Sequence, residues 1–169
     1  MKKITIITLI VSLLITSFAG CTNNSSKNTV KNFLTALYSV NQSDYDYYEK
    51  MVKGSKSSEL EADTKVYKTN TRNFQQYLSD KSYQSFYNER LSYLRIANAY
   101  NNNYFTKIKD LKISKTKEDK INETITYHYE FQLNQTNKDT KKLETINKSG
   151  VLTVFNENGT WKILDIIVL

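Results

Sequence analysis

The chain has 169 residues, a formal charge of +7, one cysteine, one histidine and no proline. A single cysteine and a single histidine rule out disulfides, cysteine-built zinc sites and multi-histidine metal centres. The positive excess is nearly all lysine, with Arg72, Arg90 and Arg95 the only arginines. Such a balance suits a domain beside an anionic membrane or wall better than a nucleic-acid reader.

Residues 1–20 divide into three segments. Lys2 and Lys3 form a positive start, Ile4 to Ile15 a mostly apolar run, and Ser17-Phe18-Ala19-Gly20 a small-residue approach to Cys21. A run this short with these flanks reads as a removable export signal rather than a membrane span. Phe18-Ala19-Gly20-Cys21 resembles the lipobox of bacterial lipoproteins, with Phe18 standing where Leu is usual. The resemblance implies a diacylglyceryl thioether on Cys21, cleavage before it, and a location on the extracytoplasmic face of the cell membrane. Two or more acyl chains bury enough methylene groups for stable anchorage, whereas one is marginal. Abundant Lys, Asn, Ile and Tyr without proline fits a low-GC Gram-positive genome.

Residues 21–28 are small and polar, expected as a flexible tether carrying the lipidated Cys21. Residues 29–169 then form one domain, large enough to build a core without disulfides. Asn28 or Thr29 can cap a first helix whose apolar face is Val30, Phe33, Leu34 and Leu37. Asp44 to Val52 predicts a second helix with Tyr45, Tyr48 and Val52 on one side. Gly54 to Ser58 breaks the pattern, and Glu59 to Leu78 carries a weaker helical one. Ser79 or Asp80 can cap the next helix, with Tyr83, Phe86, Tyr87, Leu91, Leu94 and Ala97 as its stripe. Asn101 to Asn103 ends it.

The period then changes from helical to two. Leu111 and Ile113 open a strand, followed by a charged turn at Thr116 to Lys120. In the next strand Ile125, Tyr127, Tyr129, Phe131 and Leu133 share one face, and Thr124, Thr126, His128, Glu130 and Gln132 the other. Gln135 to Lys142 is a polar hairpin loop. Leu143 to Phe155 is a third strand with a bulge or bend expected at Gly150. Asn156-Glu157-Asn158-Gly159 is a hairpin turn, and Trp161 to Leu169 a last strand expected to be covered on both faces. The layout is α+β: N-terminal helices packed on a four-stranded curved antiparallel sheet.

The ending Asn158-Gly159-Thr160-Trp161-Lys162-Ile163, with the opening helix pattern Val30 to Leu37, resembles the NTF2-like (cystatin-like α+β cone) superfamily. The resemblance implies a cone-shaped pocket between helices and sheet, and it leaves function open, since such folds serve enzymes, ligand binders and subunits of envelope machines. Enzymes of that scaffold often place an Asp–His pair in the cone. Strand alternation sets His128 on the polar face instead, expected toward solvent or an interface.

The residues expected to line a pocket are Asp44, Tyr45, Tyr48 and Asp165. A buried carboxylate can act as a base, but Ser43 or Asp44 also fits as a helix cap. Asp165 lies in an apolar strand that would perturb it, unless it sits at a wet position or beside a lysine. The 13 tyrosines could stack on sugars, although most occupy periodic positions that suit a core. Lys138, Lys141 and Lys142 read as a solvated loop tip. No phosphate loop, Ser-His-Asp set or calcium loop is present, and no cofactor is implied. The expected role is a non-catalytic, membrane-anchored domain that binds an envelope protein. The alternative is a binder of a small ligand or glycan in the cone, and a hydrolase or isomerase comes last.

Overall fold

The structure is a computed structural model, and it describes residues 22–53 and 73–168. The export signal, Cys21, the break at Gly54 and most of the weak helical pattern after Glu59 lie outside the described residues. The elements are α1 (Thr22–Tyr38), α2 (Gln42–Val52), a 3₁₀ turn (Phe74–Gln76), α3 (Asp80–Asn88), α4 (Leu91–Asn101), β1 (Tyr104–Asp119), β2 (Thr124–Asn137), β3 (Leu143–Glu157) and β4 (Thr160–Val168). The strands form one antiparallel meander in the order β1-β2-β3-β4. Helices pack on a curved sheet, the α+β arrangement that the change of period predicts.

Helix α1 buries Val30, Phe33, Leu34, Leu37 and Tyr38, the expected stripe lengthened by one residue. It begins at Thr22, however, inside the segment expected to be a tether. The reason is tertiary: Ser26 is fully buried, and its hydroxyl shares a 2.8 Å hydrogen bond with that of Tyr127 on β2. A polar, small-residue sequence that would not hold a helix alone is held by the sheet beneath it. At its other end Thr106 Oγ1 donates to the Tyr38 carbonyl at 2.6 Å. Val40 and Thr106 also exchange two backbone hydrogen bonds of 3.0 Å, so α1 is fastened at both ends and runs alongside β2 in the same direction.

Helix α2 starts two residues earlier than expected, because its cap is Asn41. Asn41 Oδ1 accepts from the amides of Ser43 and Asp44, and Asp44 Oδ2 accepts from the Asn41 amide at 2.8 Å. This is a reciprocal capping box, with Asp44 as its second half. Ser79 caps α3 as expected, its hydroxyl accepting from the Ser82 amide. The single long helix expected from Ser79 to Asn101 is two helices, since Arg90 takes the left-handed conformation at φ 53°. The break rotates the inward face of α4 onto Ile96 and Ala99 and leaves Leu94 53% exposed.

Strand β1 starts at Tyr104, seven residues before the expected point. Its pairing with β2 slips between Lys109 and Lys112, and Asp110 has φ 53°. Inward residues therefore run Thr106, Ile108 and then Leu111, Ile113, a phase change that hides the strand from a strict period of two. Lys107, Lys109, Lys112, Lys115 and Lys117 line this edge strand with exposed charge, which discourages another chain from pairing there. The other edge is covered: Leu78 bridges Ile163, with Ser79 N–H donating to the Ile163 carbonyl at 3.0 Å and Ile163 N–H to the Tyr77 carbonyl at 2.7 Å.

In β2 the alternation holds throughout, and Ile125, Tyr127, Tyr129, Phe131 and Leu133 are all buried. The β3–β4 turn is the two-residue Asn158-Gly159 hairpin, both residues at positive φ, as this pairing of strands requires. Two expectations are corrected. Strand β4 is covered on one face only, by way of Trp161 and Ile163, while Leu164, Asp165 and Ile167 are exposed. Gly150 is no bulge, since it pairs in register with Tyr129 and Val168. A Cβ at position 150 would fall on the Tyr129 hydroxyl and within 2.5 Å of the Ile167 carbonyl oxygen. The glycine is there to let a tyrosine lie across the strand. Gly150→Ala should accordingly destabilise the protein by about 1–3 kcal/mol, the usual cost of overpacking, read as a lower urea midpoint with an unchanged slope.

Candidate functional site

Asp44, Tyr45 and Tyr48 lie together on α2, where they build a second core between α2, α4 and the start of β1. Tyr45, Tyr48, Val40, Ile96 and Ala99 are its buried members, with Tyr93, Tyr100, Tyr104 and Phe105 packed around them. The Tyr45 ring stands 5.1 Å from Tyr100 and 5.2 Å from Phe105, and Tyr48 stands 4.9 Å from Tyr100 and 5.5 Å from Tyr93. These centroid separations are those of packed aromatic pairs. The Tyr45 hydroxyl faces the carbonyl oxygens of Ala99 at 2.7 Å and Tyr104 at 2.9 Å. Burial pushes its phenol up to about 12. The Tyr48 phenol is also raised, first by its hydrogen bond with Tyr93 and then by burial.

Lys138, expected in a solvated loop tip, is folded back instead. Its ammonium lies 4.1 Å from the centre of the Tyr45 ring and 5.5 Å from that of Phe105, and its amide donates to the Asn103 carbonyl. The cation closes the outer side of the aromatic cluster. Asp44 is fully buried, and the capping box accounts for its position. Among the described residues, the rings of Tyr93, Tyr100 and Phe105 and the Lys138 ammonium pack against Tyr45 and Tyr48.

Asp165 is far from this group. It is exposed on β4, pairs with Thr153 across the strand, and accepts from the neighbouring Ile166 amide at 2.9 Å. His128 is half-buried on the outer sheet face, between Ser114 and Val151, as strand alternation predicts.

Sequence reasoning missed a polar group inside the main core. The Arg95 guanidinium lies 4.5 Å from the centre of the Tyr38 ring and donates to the Tyr38 hydroxyl at 3.3 Å. Tyr38 in turn packs edge-on against Phe131 at 4.8 Å. Beside them the Tyr129 hydroxyl is buried, and burial first, then the neighbouring Tyr38 hydroxyl, hold its phenol far above the ordinary tyrosine value. Arg95 gives no sequence signal because it joins Tyr38 and Tyr129 only through the fold.

The outer face of the sheet carries a groove of about 400 Å³, lined by Asp110, Lys112, Glu130, Gln132, Asn147 and Ser149 among others. Lys112 and Glu130 span it with a 2.9 Å ion pair, which lowers the Glu130 carboxyl and raises the Lys112 ammonium. The pair is exposed, and its energetic weight is correspondingly small. Among the described residues, no group of three or more His, Cys, Asp and Glu side chains could hold a metal ion, and no helix is long and apolar enough to cross a membrane.

No protein-family model matches the chain, and no curated protein matches it. Among solved structures, the chain is similar to one described as the crystal structure of the intermembrane space region of the chloroplast protein ARC6. The identity is 14%, the match covers 57% of this chain and 75% of that one, and the TM-score is 0.36. A likeness that loose says nothing about what this chain does.

Two outcomes follow from the α2 cluster. Asn41→Ala removes one half of the capping box and should cost about 1 kcal/mol in urea denaturation. A tyrosine of pKa near 10 when unfolded and about 12 when folded keeps its proton longer in the native state. Its contribution to stability is complete below pH 10 and lost as pH rises towards 12. Urea midpoints should therefore fall between pH 10 and 12, and less steeply for Tyr45→Phe than for the parent.

Proposed function

We propose that this chain is a membrane-anchored extracytoplasmic lipoprotein whose NTF2-like domain binds a partner protein, as part of an envelope assembly, without catalysing a reaction. The observation that carries the binding reading is the close packing of the interior among the described residues. Phe33, Leu34, Tyr38, Tyr129, Leu152 and Ile163 have essentially no exposure, and the second cluster is closed by Tyr45, Tyr48 and Lys138. A domain packed in this way offers its surface to other molecules. The outer sheet face is broad and half-exposed, with Thr, Ser and Asn side chains around Val151 and Ile167. That mixture of a small apolar centre and a polar surround is common in transient protein interfaces.

The lipoprotein part rests on Phe18-Ala19-Gly20-Cys21 and the apolar run before it. The NTF2-like part rests on the order of helices then meander, and on the Asn158-Gly159 hairpin that seats Trp161 and Ile163 in the core. A second reading, a small polar ligand in the groove between Asp110 and Ser149, is favoured by that groove's volume and its hydrogen-bonding lining.

In-cell crosslinking of the tagged full-length protein, followed by mass spectrometry, tests the proposal with Cys21→Ala as the unanchored control. A defined envelope protein should be recovered from the parent and lost from the control. Recovery of the same proteins from both, at equal yield, would overturn the assembly role. The parent should also carry an acylated Cys21 at its N-terminus, visible in the mass of the mature chain.

A further inference from the structure

The end of the domain from which α1 emerges carries an isoleucine in an unusual position. Ile121 sits in the turn between β1 and β2, at residues 120–123, and is 94% exposed. Turn positions of this kind favour Gly, Asn, Asp or Ser, whose conformational or hydrogen-bonding properties suit them. The turn is well ordered by its own contacts. Asp119 Oδ1 accepts from the amides of Ile121 at 2.9 Å and Asn122 at 3.1 Å, while Asp119 Oδ2 accepts from the Asn122 side chain at 2.9 Å. The Glu123 carbonyl accepts from the Asn156 amide at 3.0 Å, which ties the turn to the end of β3. Nothing in these contacts requires a branched apolar side chain at position 121, and it is held pointing away from the core.

The location of this turn gives the residue a use. Ser26 touches Tyr127, and Tyr38 touches Thr106 at the opposite end of the sheet. Helix α1 therefore starts at the end of the molecule that holds the β1–β2 turn. Thr22 lies about 6 Å beyond Ser26 along a helix rising 1.5 Å per residue. Thr124 lies about 10 Å beyond Tyr127 along a strand rising 3.3 Å per residue, with the turn just past it. The helix start and the tip of the turn thus extend to similar heights from the same end. Ser26 is packed against the sheet, and it stands five positions after Cys21 in the sequence.

We propose that this end of the domain rests on the bilayer that holds the anchor, with Ile121 entering the headgroup layer as a second, non-covalent foot. The inference rests on the lipid-anchor reading and adds an orientation to it. Charge at this end is balanced, with Lys27, Lys115, Lys117 and Lys120 set against Glu118, Asp119, Glu123 and, in the β3–β4 turn at the same end, Glu157. The seat is therefore made by the isoleucine and by the short connection to the anchor, and it requires no net positive patch. The opposite end, with the β2–β3 turn at residues 138–142, faces away from the membrane.

The chain's single cysteine makes the test direct, since an acylated Cys21 leaves no free thiol. Full-length Ile121→Cys and Thr140→Cys variants are purified with their lipid, labelled with a fluorophore, and reconstituted into phosphatidylglycerol–phosphatidylcholine vesicles that contain a headgroup-nitroxide lipid. Quenching should be several-fold stronger for the label at position 121 than for that at position 140. Equal quenching at both, with the protein still floating with the vesicles, overturns the orientation and leaves the anchor intact. Labelling of the parent at Cys21, or failure to float, overturns the anchor and the orientation together.

Discussion

Five side chains of β2 organise the rest of the molecule. Ile125, Tyr127, Tyr129, Phe131 and Leu133 form a continuous inward row on the second of four strands, and the main core is built on it. Tyr127 fixes the start of α1 through Ser26, and Phe131 receives Tyr38 from the end of the same helix. Tyr129 needs the bare backbone of Gly150 beside it. Three aromatic rings on alternate residues set the spacing of the layer above, and that layer has to supply small residues or ring edges wherever they project. Burial of side chains this large is where most of the apolar driving force for folding is concentrated.

A core built on rings has a cost in polar groups. Three tyrosine hydroxyls come with the inward row and the helix above it. Tyr127 finds Ser26, Tyr38 finds Arg95, and Tyr129 has only Tyr38 beside it, with no hydrogen bond of full geometry among the described residues. An unmet buried hydroxyl is unfavourable by about 1–3 kcal/mol, and phenylalanine at that position would avoid it. The α2 cluster solves the same problem differently, since Tyr45 places its hydroxyl against two carbonyl oxygens and Lys138 caps the ring from outside.

Much of the architecture was legible because it depends on local rules. The period of two in β2, the Asn158-Gly159 turn, the Ser79 cap and the Val30 to Leu37 face are each written in adjacent residues. Failures occurred wherever a distant partner decided the outcome. Thr22 to Asn28 look like linker until Tyr127 is placed beneath Ser26. Strand β1 loses its alternation at Asp110, where an extra residue changes the phase. Gly150 looks like a bend because the tyrosine it accommodates lies 21 positions earlier. The surroundings of the α2 tyrosines are hidden for a related reason. Helical spacing places Tyr45 and Tyr48 on one side of α2, but spacing does not reveal that Tyr93, Tyr100 and Phe105 pack against them. Asp165 looked buried because its neighbours are apolar, and β4 turns out to have one open face.

The meander has a consequence for how such a chain assembles. Each strand pairs with its neighbour in sequence, so the three hairpins can form locally, one after another, as the polypeptide is extended. Helix α1 behaves differently, because it packs on β1, β3 and β4, and so needs a surface that is finished only when the fourth strand has joined. Until then its apolar stripe and the aromatic row beneath it are both uncovered. Between the emergence of the helix and the pairing of β4, that apolar surface is the part of the chain most open to contact with other molecules.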